Sequence, residues 1–197
     1  MVSEDEPSPP DGQRSADLLA LAAVASGSEN GLRELADRHG GTLLTYVTGL
    51  TGDRRLAEEV VQDTLVAVWG GAAAFEGASS VKTWMFGIAR RRTFQTLRRP
   101  AERAELTEAT SAPVSADLAP GPEDVALMRA DLDLVSRAIS ALRPLHREVV
   151  MLVCVHEMTG LEAAAVLGVP VGTVKSRLSH ARAAIAASLH FRFGEED

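Results

Sequence analysis

The sequence predicts an all-α fold of two small helical domains joined by a flexible linker, the C-terminal one a helix-turn-helix, and three observations carry that prediction. Apolar residues recur at steps of three and four through most of the chain, the period of an amphipathic helix. No stretch shows the strict alternation of a half-buried strand, and no long-period repeat is present. Ser, Asp, Gly and Pro stand where helices start and stop.

Residues 1–14 hold Pro7, Pro9, Pro10, Gly12 and several acids, a composition with too little apolar surface to order itself, and read as a disordered acidic tail. From Ser15 the pattern turns helical, first to about Ala25. Ser28 then caps a second helix whose inner face is Leu32, Leu35, Leu43, Tyr46, Val47 and Leu50. Asp53 caps a third, with Leu56, Ala57, Val60, Val61, Leu65, Val68 and Trp69 on its apolar side and Glu58, Glu59, Gln62 and Asp63 opposite; Gly70 and Gly71 end it. A loop over 75–80 leads to a fourth helix that starts at Ser79 or Ser80, turns Trp84, Ile88 and Leu97 inward, and stops at Pro100. Residues 100–122, rich in Ala, Pro, Ser, Thr and Glu without apolar period, form the linker.

After Pro122 a helical stripe resumes with Val125, Met128, Leu132, Val135, Ile139 and Leu142, and Pro144 opens an apolar helix through Val155. Thr159 and Glu162 have the spacing of a capping box, in which hydroxyl and carboxylate each satisfy a free backbone donor. The short helix they start, 161–167, meets Gly168, a left-handed stop, and Val169-Pro170 restarts the chain in a new direction. Val174, Leu178, Ala181, Ile185 and Leu189 then make one buried stripe, leaving Lys175, Ser176, Arg177, Ser179 and His180 on the other faces. No acid lies between Glu162 and Glu195, whereas Lys175, Arg177, Arg182 and Arg192 do, so attraction to phosphate is unopposed over the second helix of the motif. Residues 192–197 form a C-terminal tail.

With 197 residues, 46% of them hydrophobic, the chain is long enough for one or two cores. The net charge of −7 is segregated: 77–99 holds no acid but Lys82, Arg90, Arg91, Arg92, Arg98 and Arg99, while acids gather in the tail, on the third helix and at Glu102, Glu105 and Glu108. Two kinds of partner are implied, one anionic and one basic. A single cysteine, Cys154, rules out an internal disulfide and reads as a packed thiol. Without a signal-peptide pattern or a bilayer-length apolar run, the expected location is cytoplasmic, with no direct membrane insertion. His156-Glu157 lacks the second histidine of a zinc-protease helix, as position 160 is Gly160, so neither catalysis, a metal, a cofactor nor a small-molecule substrate is expected.

Three blocks together carry a resemblance. They are Leu56-Ala57-Glu58-Glu59-Val60-Val61-Gln62-Asp63-Thr64 with Trp69; Phe75 with Trp84-Met85-Phe86-Gly87-Ile88-Ala89-Arg90 and Arg98-Arg99; and Gly172-Thr173-Val174-Lys175-Ser176-Arg177-Leu178 with Ala181-Arg182. In order and spacing they resemble the extracytoplasmic-function sigma factors of bacterial RNA polymerase, over residues 15–191. The resemblance implies a sigma-two domain over 15–99 and a sigma-four domain over 123–191. It implies core RNA polymerase as partner, through its β′ clamp and β subunit, with Glu58, Glu59, Gln62 and Asp63 facing the clamp.

Promoter DNA is the second implied partner. At the minus-ten element, which such proteins recognise and melt, Lys82, Arg90, Arg91 and Arg92 would follow the strand while Ser79, Ser80 and Thr83 shape a base pocket. At the minus-thirty-five element Lys175, Ser176, Ser179 and His180 would face the groove, with Thr173 and Arg177 near phosphates. Arg91 and Gln95 stand where many members carry an Asn and, four residues later, an acid, which alters the minus-ten preference. The acidic linker resembles the segment that threads the polymerase's RNA channel, and an anti-sigma factor is a further partner such proteins take. The alternative left open by the residues themselves is a helix-turn-helix transcription regulator acting without core polymerase.

Overall fold

In the computed structural model, residues 11–103 and 135–193 are described, and among them every regular element is helical. Helices α1 (Asp11–Ala25), α2 (Glu29–Thr51) and α3 (Arg54–Gly71) are followed by a 3-10 turn, Ala72–Ala74, and by α4 (Val81–Arg103). The chain returns as a helical segment α5 (135–140), then α6 (Pro144–Val150), a π-helical turn Met151–Val155, α7 (Gly160–Leu167) and α8 (Val171–Phe193).

The helix ends follow their local chemistry. Ser28 accepts from the Gly31 amide, and Asp53 accepts from the amides of Arg55 and Leu56 at 2.9 and 3.1 Å. Ser80 holds the start of α4, its hydroxyl accepting from Thr83 N at 3.1 Å. Gly52 and Gly168 close α2 and α7 in the left-handed conformation, at φ 71° and 66°.

Several expectations are corrected. Residues 11–14 belong to α1 rather than to the tail, and Arg14 lies 3.7 Å from Glu162 of α7. Pro100 does not stop α4, which runs on to Arg103; the proline ring gives up one backbone bond, and the residues after it continue the turn. Pro170 stands immediately before α8, its carbonyl accepting from Thr173 N and Val174 N, as the restart of the chain there requires. The apolar helix from Pro144 is α-helical only to Val150; the wider π turn that follows rotates Cys154 and Val155 outward, so the thiol is exposed, not packed. Trp69 and Leu97, expected inside, are 39% and 38% exposed. The calls on 1–10, 104–122, Val125, Met128, Leu132 and 194–197 lie outside the described residues.

The two helical units pack against each other. One apolar cluster contains Leu35, Leu43, Tyr46, Met85 and Phe86 from α2 and α4 together with Val149, Leu152, Met158, Ala163 and Val166 from α6, the π turn and α7. The reason is visible in 149–155, Val-Val-Met-Leu-Val-Cys-Val, a stretch apolar on every side that α8 alone cannot cover. Gly49 of α2 permits the close approach: a Cβ there would lie 2.5 Å from the Met151 methyl and 2.9 Å from its sulfur.

Candidate nucleic-acid interface

Helix α4 presents polar residues on both sides of the buried row Met85, Phe86 and Ala89. One face borders a groove of about 380 Å³ against the end of α3, lined by Trp84, Ile88, Arg91, Arg92 and Gln95 over a floor that includes Gly71. Trp84 packs on Phe75 with ring centroids 5.1 Å apart and is half-buried, so its ring is braced from behind while one edge meets the groove. A braced aromatic beside two guanidinium groups suits bases and phosphates of a single strand.

The opposite face meets the C-terminal unit. Arg90 Nε lies 2.5 Å from Glu148 Oε1 and its Nη2 3.4 Å from Oε2, while the same guanidinium sits 5.0 Å from the Phe94 ring centre. Lys82 Nζ donates to the His156 carbonyl at 3.0 Å. Thr83 is buried, its hydroxyl 2.8 Å from that of Ser80, and both hydroxyls reach Glu162 at 3.5 Å. Glu162 meanwhile completes the expected capping box, accepting from Thr159 N at 3.1 Å as Thr159 Oγ1 accepts from Glu162 N at 3.2 Å. Of the residues expected at the minus-ten strand, Arg91 and Arg92 therefore border the groove, Ser80, Lys82, Thr83 and Arg90 engage the other unit, and Ser79 stands half-buried in the preceding loop.

The contact between units also shapes two aromatic and imidazole groups. His156 is edge-on to Tyr46 and Phe86, at 5.9 and 5.2 Å, and burial with the nearby Lys82 charge lowers its pKa to about 4. Burial, then the Glu148 charge, raises the Tyr46 hydroxyl well above its usual value. Glu148 was not singled out by sequence, although it is the one charged residue in the apolar run 148–155, a signal of a buried ion partner.

In the helix-turn-helix, α8 buries Val174 and Ala181 and half-buries Leu178, as its stripe requires. Lys175, Ser176, Ser179 and His180 are exposed, and Thr173 and Arg177 are half-buried beside them. His180 Nδ1 lies 2.8 Å from the Ser176 carbonyl, so this nitrogen carries the proton, and the ring stacks on His146 of α6 at 5.9 Å. On α3, Glu58, Glu59, Gln62 and Asp63 are all exposed on one stripe, with Glu58 3.1 Å from Arg54.

Comparison with known proteins places this arrangement. Residues 35–103 match the model for Sigma-70 region 2, and residues 132–185 the model for Sigma-70, region 4. The chain is 32% identical to the RNA polymerase sigma factor CnrH of Cupriavidus metallidurans, covering 88% of this chain and 94% of that protein. It is 30% identical to the ECF RNA polymerase sigma factor SigL of Mycobacterium tuberculosis, covering 87% and 96%. Among solved structures, CnrH in complex with the cytosolic domain of CnrY superimposes with a TM-score of 0.65 at 27% identity, over 88% of this chain and 97% of that one. The sigma factor RpoE of Bartonella quintana, in complex with the anti-sigma factor NepR, shares the fold with a TM-score of 0.62 at 24% identity, over 90% and 96%. The chain belongs to the extracytoplasmic-function sigma factors of the sigma-70 family, which bind core RNA polymerase and direct it to promoters to start transcription.

Proposed function

We propose a division of labour by residue. Residues 15–99 act as the sigma-two domain, 123–191 as the sigma-four domain, and 100–122 as the linker. Glu58, Glu59, Gln62 and Asp63 contact the polymerase clamp. Ser79, Ser80, Lys82, Thr83, Arg90, Arg91 and Arg92 serve the minus-ten element, and Thr173, Lys175, Ser176, Arg177, Ser179 and His180 the minus-thirty-five element. The protein works in the cytoplasm by binding alone, with no chemical step of its own. The RpoE complex with the anti-sigma factor NepR supports an anti-sigma factor as a further partner.

The observation that carries this reading is the segregation of charge onto separate surfaces: four polar and acidic side chains exposed along α3, and cations from Lys82 to Arg99 of α4 and along α8 without an acid among them. An acidic stripe repels DNA and fits a basic protein surface, whereas the cationic helices do the reverse. The regulator alternative has no use for the α3 stripe.

Glu59→Arg combined with Asp63→Arg is expected to lower affinity for core polymerase at least tenfold, with an unchanged thermal melt because both side chains are exposed. Gel-filtration co-elution with purified core measures this. Undiminished co-elution contradicts the stripe as the docking surface.

A further inference from the structure

On α8, His180 is held in a single chemical form. Its Nδ1 lies 2.8 Å from the carbonyl oxygen of Ser176, one turn earlier on the same helix, and a carbonyl only accepts, so Nδ1 carries the proton. In the neutral ring the other nitrogen, Nε2, is then a bare acceptor. The ring plane is set as well: it lies 7° from parallel to the half-buried ring of His146 on α6, with centroids 5.9 Å apart. His180 is exposed, and among the described residues its Nε2 makes no hydrogen bond.

We infer that His180 reads an exocyclic amine on the major-groove edge, adenine N6 or cytosine N4, at one position of the upstream element. The inference deepens the α8 assignment made above and rests on it. In the major groove, adenine and cytosine present an amino donor where guanine and thymine present a carbonyl oxygen. A bare Nε2 accepts from the amine, whereas against O6 or O4 two acceptors would meet and both would lose water without gaining a partner. Lys175 and Arg177 carry donors only, which suits guanine edges and phosphates, and the hydroxyls of Thr173, Ser176 and Ser179 both donate and accept. Among the residues assigned to this element, His180 therefore offers the acceptor that has no donor beside it. The Ser176 bond and the His146 stack fix the ring before DNA arrives, so less freedom is lost on binding.

The test uses holoenzyme assembled from the full chain and purified core polymerase at about pH 8, above the range in which an imidazole ordinarily takes a second proton. Duplexes carrying a promoter mapped by in vitro transcription, with the bases of its upstream element randomised, are selected by binding and sequenced. The wild type is expected to favour adenine or cytosine over guanine or thymine about fivefold at one position. His180→Arg, which supplies donors only, is expected to turn that position to guanine, and His180→Ala to level it, with the other positions unchanged in both. His146→Leu is expected to weaken the preference about twofold without changing the bases preferred. Proton–nitrogen correlation spectroscopy on the full chain is expected to show His180 protonated at Nδ1.

A guanine or thymine preference at the position that His180→Arg alters, equal use of all four bases there by the wild type, or a ring protonated at Nε2 each overturns the inference. A preference that His146→Leu leaves untouched overturns the part given to the stack. Failure of the α8 assignment has its own signature: upstream preferences that all survive the joint replacement of Lys175, Ser176, Ser179 and His180 by alanine.

Discussion

His156 sets how the molecule responds to acid. Its ring is 4% exposed between Tyr46 and Phe86, and Nε2 has no hydrogen-bond partner among the described residues. With a pKa lowered from 6.5 to about 4, it is neutral in the fold where the unfolded chain is charged. The unfolded state therefore binds the extra proton between these values, and stability falls as pH drops through about 6.5 and levels off below about 4. His39, buried beside Asp17 with Nε2 2.9 Å from Oδ2, is lowered too, burial outweighing the carboxylate, and adds in the same direction. Urea midpoints across this window are expected to show a loss of about 2–3 kcal/mol from His156. A His156→Leu variant flattens the dependence; an unchanged slope contradicts the assignment. Asp17 and His39 were invisible in the sequence because 22 positions separate them and neither belongs to an apolar pattern.

At the scale of the element, what was legible is what is local. Ser28, Asp53, Thr159 with Glu162, and Gly168 all cap the helices that their spacing predicts, since a cap depends on atoms within four residues of it. Rotation and register were less legible. The π turn at Met151–Val155 inserts extra backbone into a turn, which no apolar period reveals, and so Cys154 faces outward. The α1–α2 crossing depends on Gly31, where a Cβ would lie 2.6 Å from the Ala20 carbonyl oxygen, a backbone atom that cannot swing aside. Gly31→Ala is expected to destabilise the protein by about 1–3 kcal/mol by forcing the two helices apart, measured by denaturant unfolding. A stability equal to wild type contradicts that packing. On α4, Arg91→Ala and Arg92→Ala are each expected to reduce the slope of log affinity against log salt for single-stranded DNA by about 0.7. An unaltered slope places both guanidinium groups off the strand.

For the whole molecule, the sequence disclosed two units and their charge pattern but not their mutual embrace. The run 149–155 and the aromatics Tyr46 and Phe86 are each readable as core, yet only the three-dimensional arrangement makes them one core and pairs Arg90 with Glu148. The candidate sites divide along the same line. The exposed residues of α3 and α8 stand on the outward faces that helical period assigned to them, whereas α4 borders the groove with one face and packs on the second unit with the other, a distinction period alone does not draw. Among the described residues no helix is long and apolar enough to cross a membrane. The most direct test is transcription in vitro on the host's genomic DNA with purified core polymerase, with the transcript 5′ ends mapped. Addition of this chain is expected to create a discrete set of starts that share two upstream elements at fixed spacing, and Glu59→Arg with Asp63→Arg is expected to abolish them. Starts identical to those of core polymerase alone contradict the account.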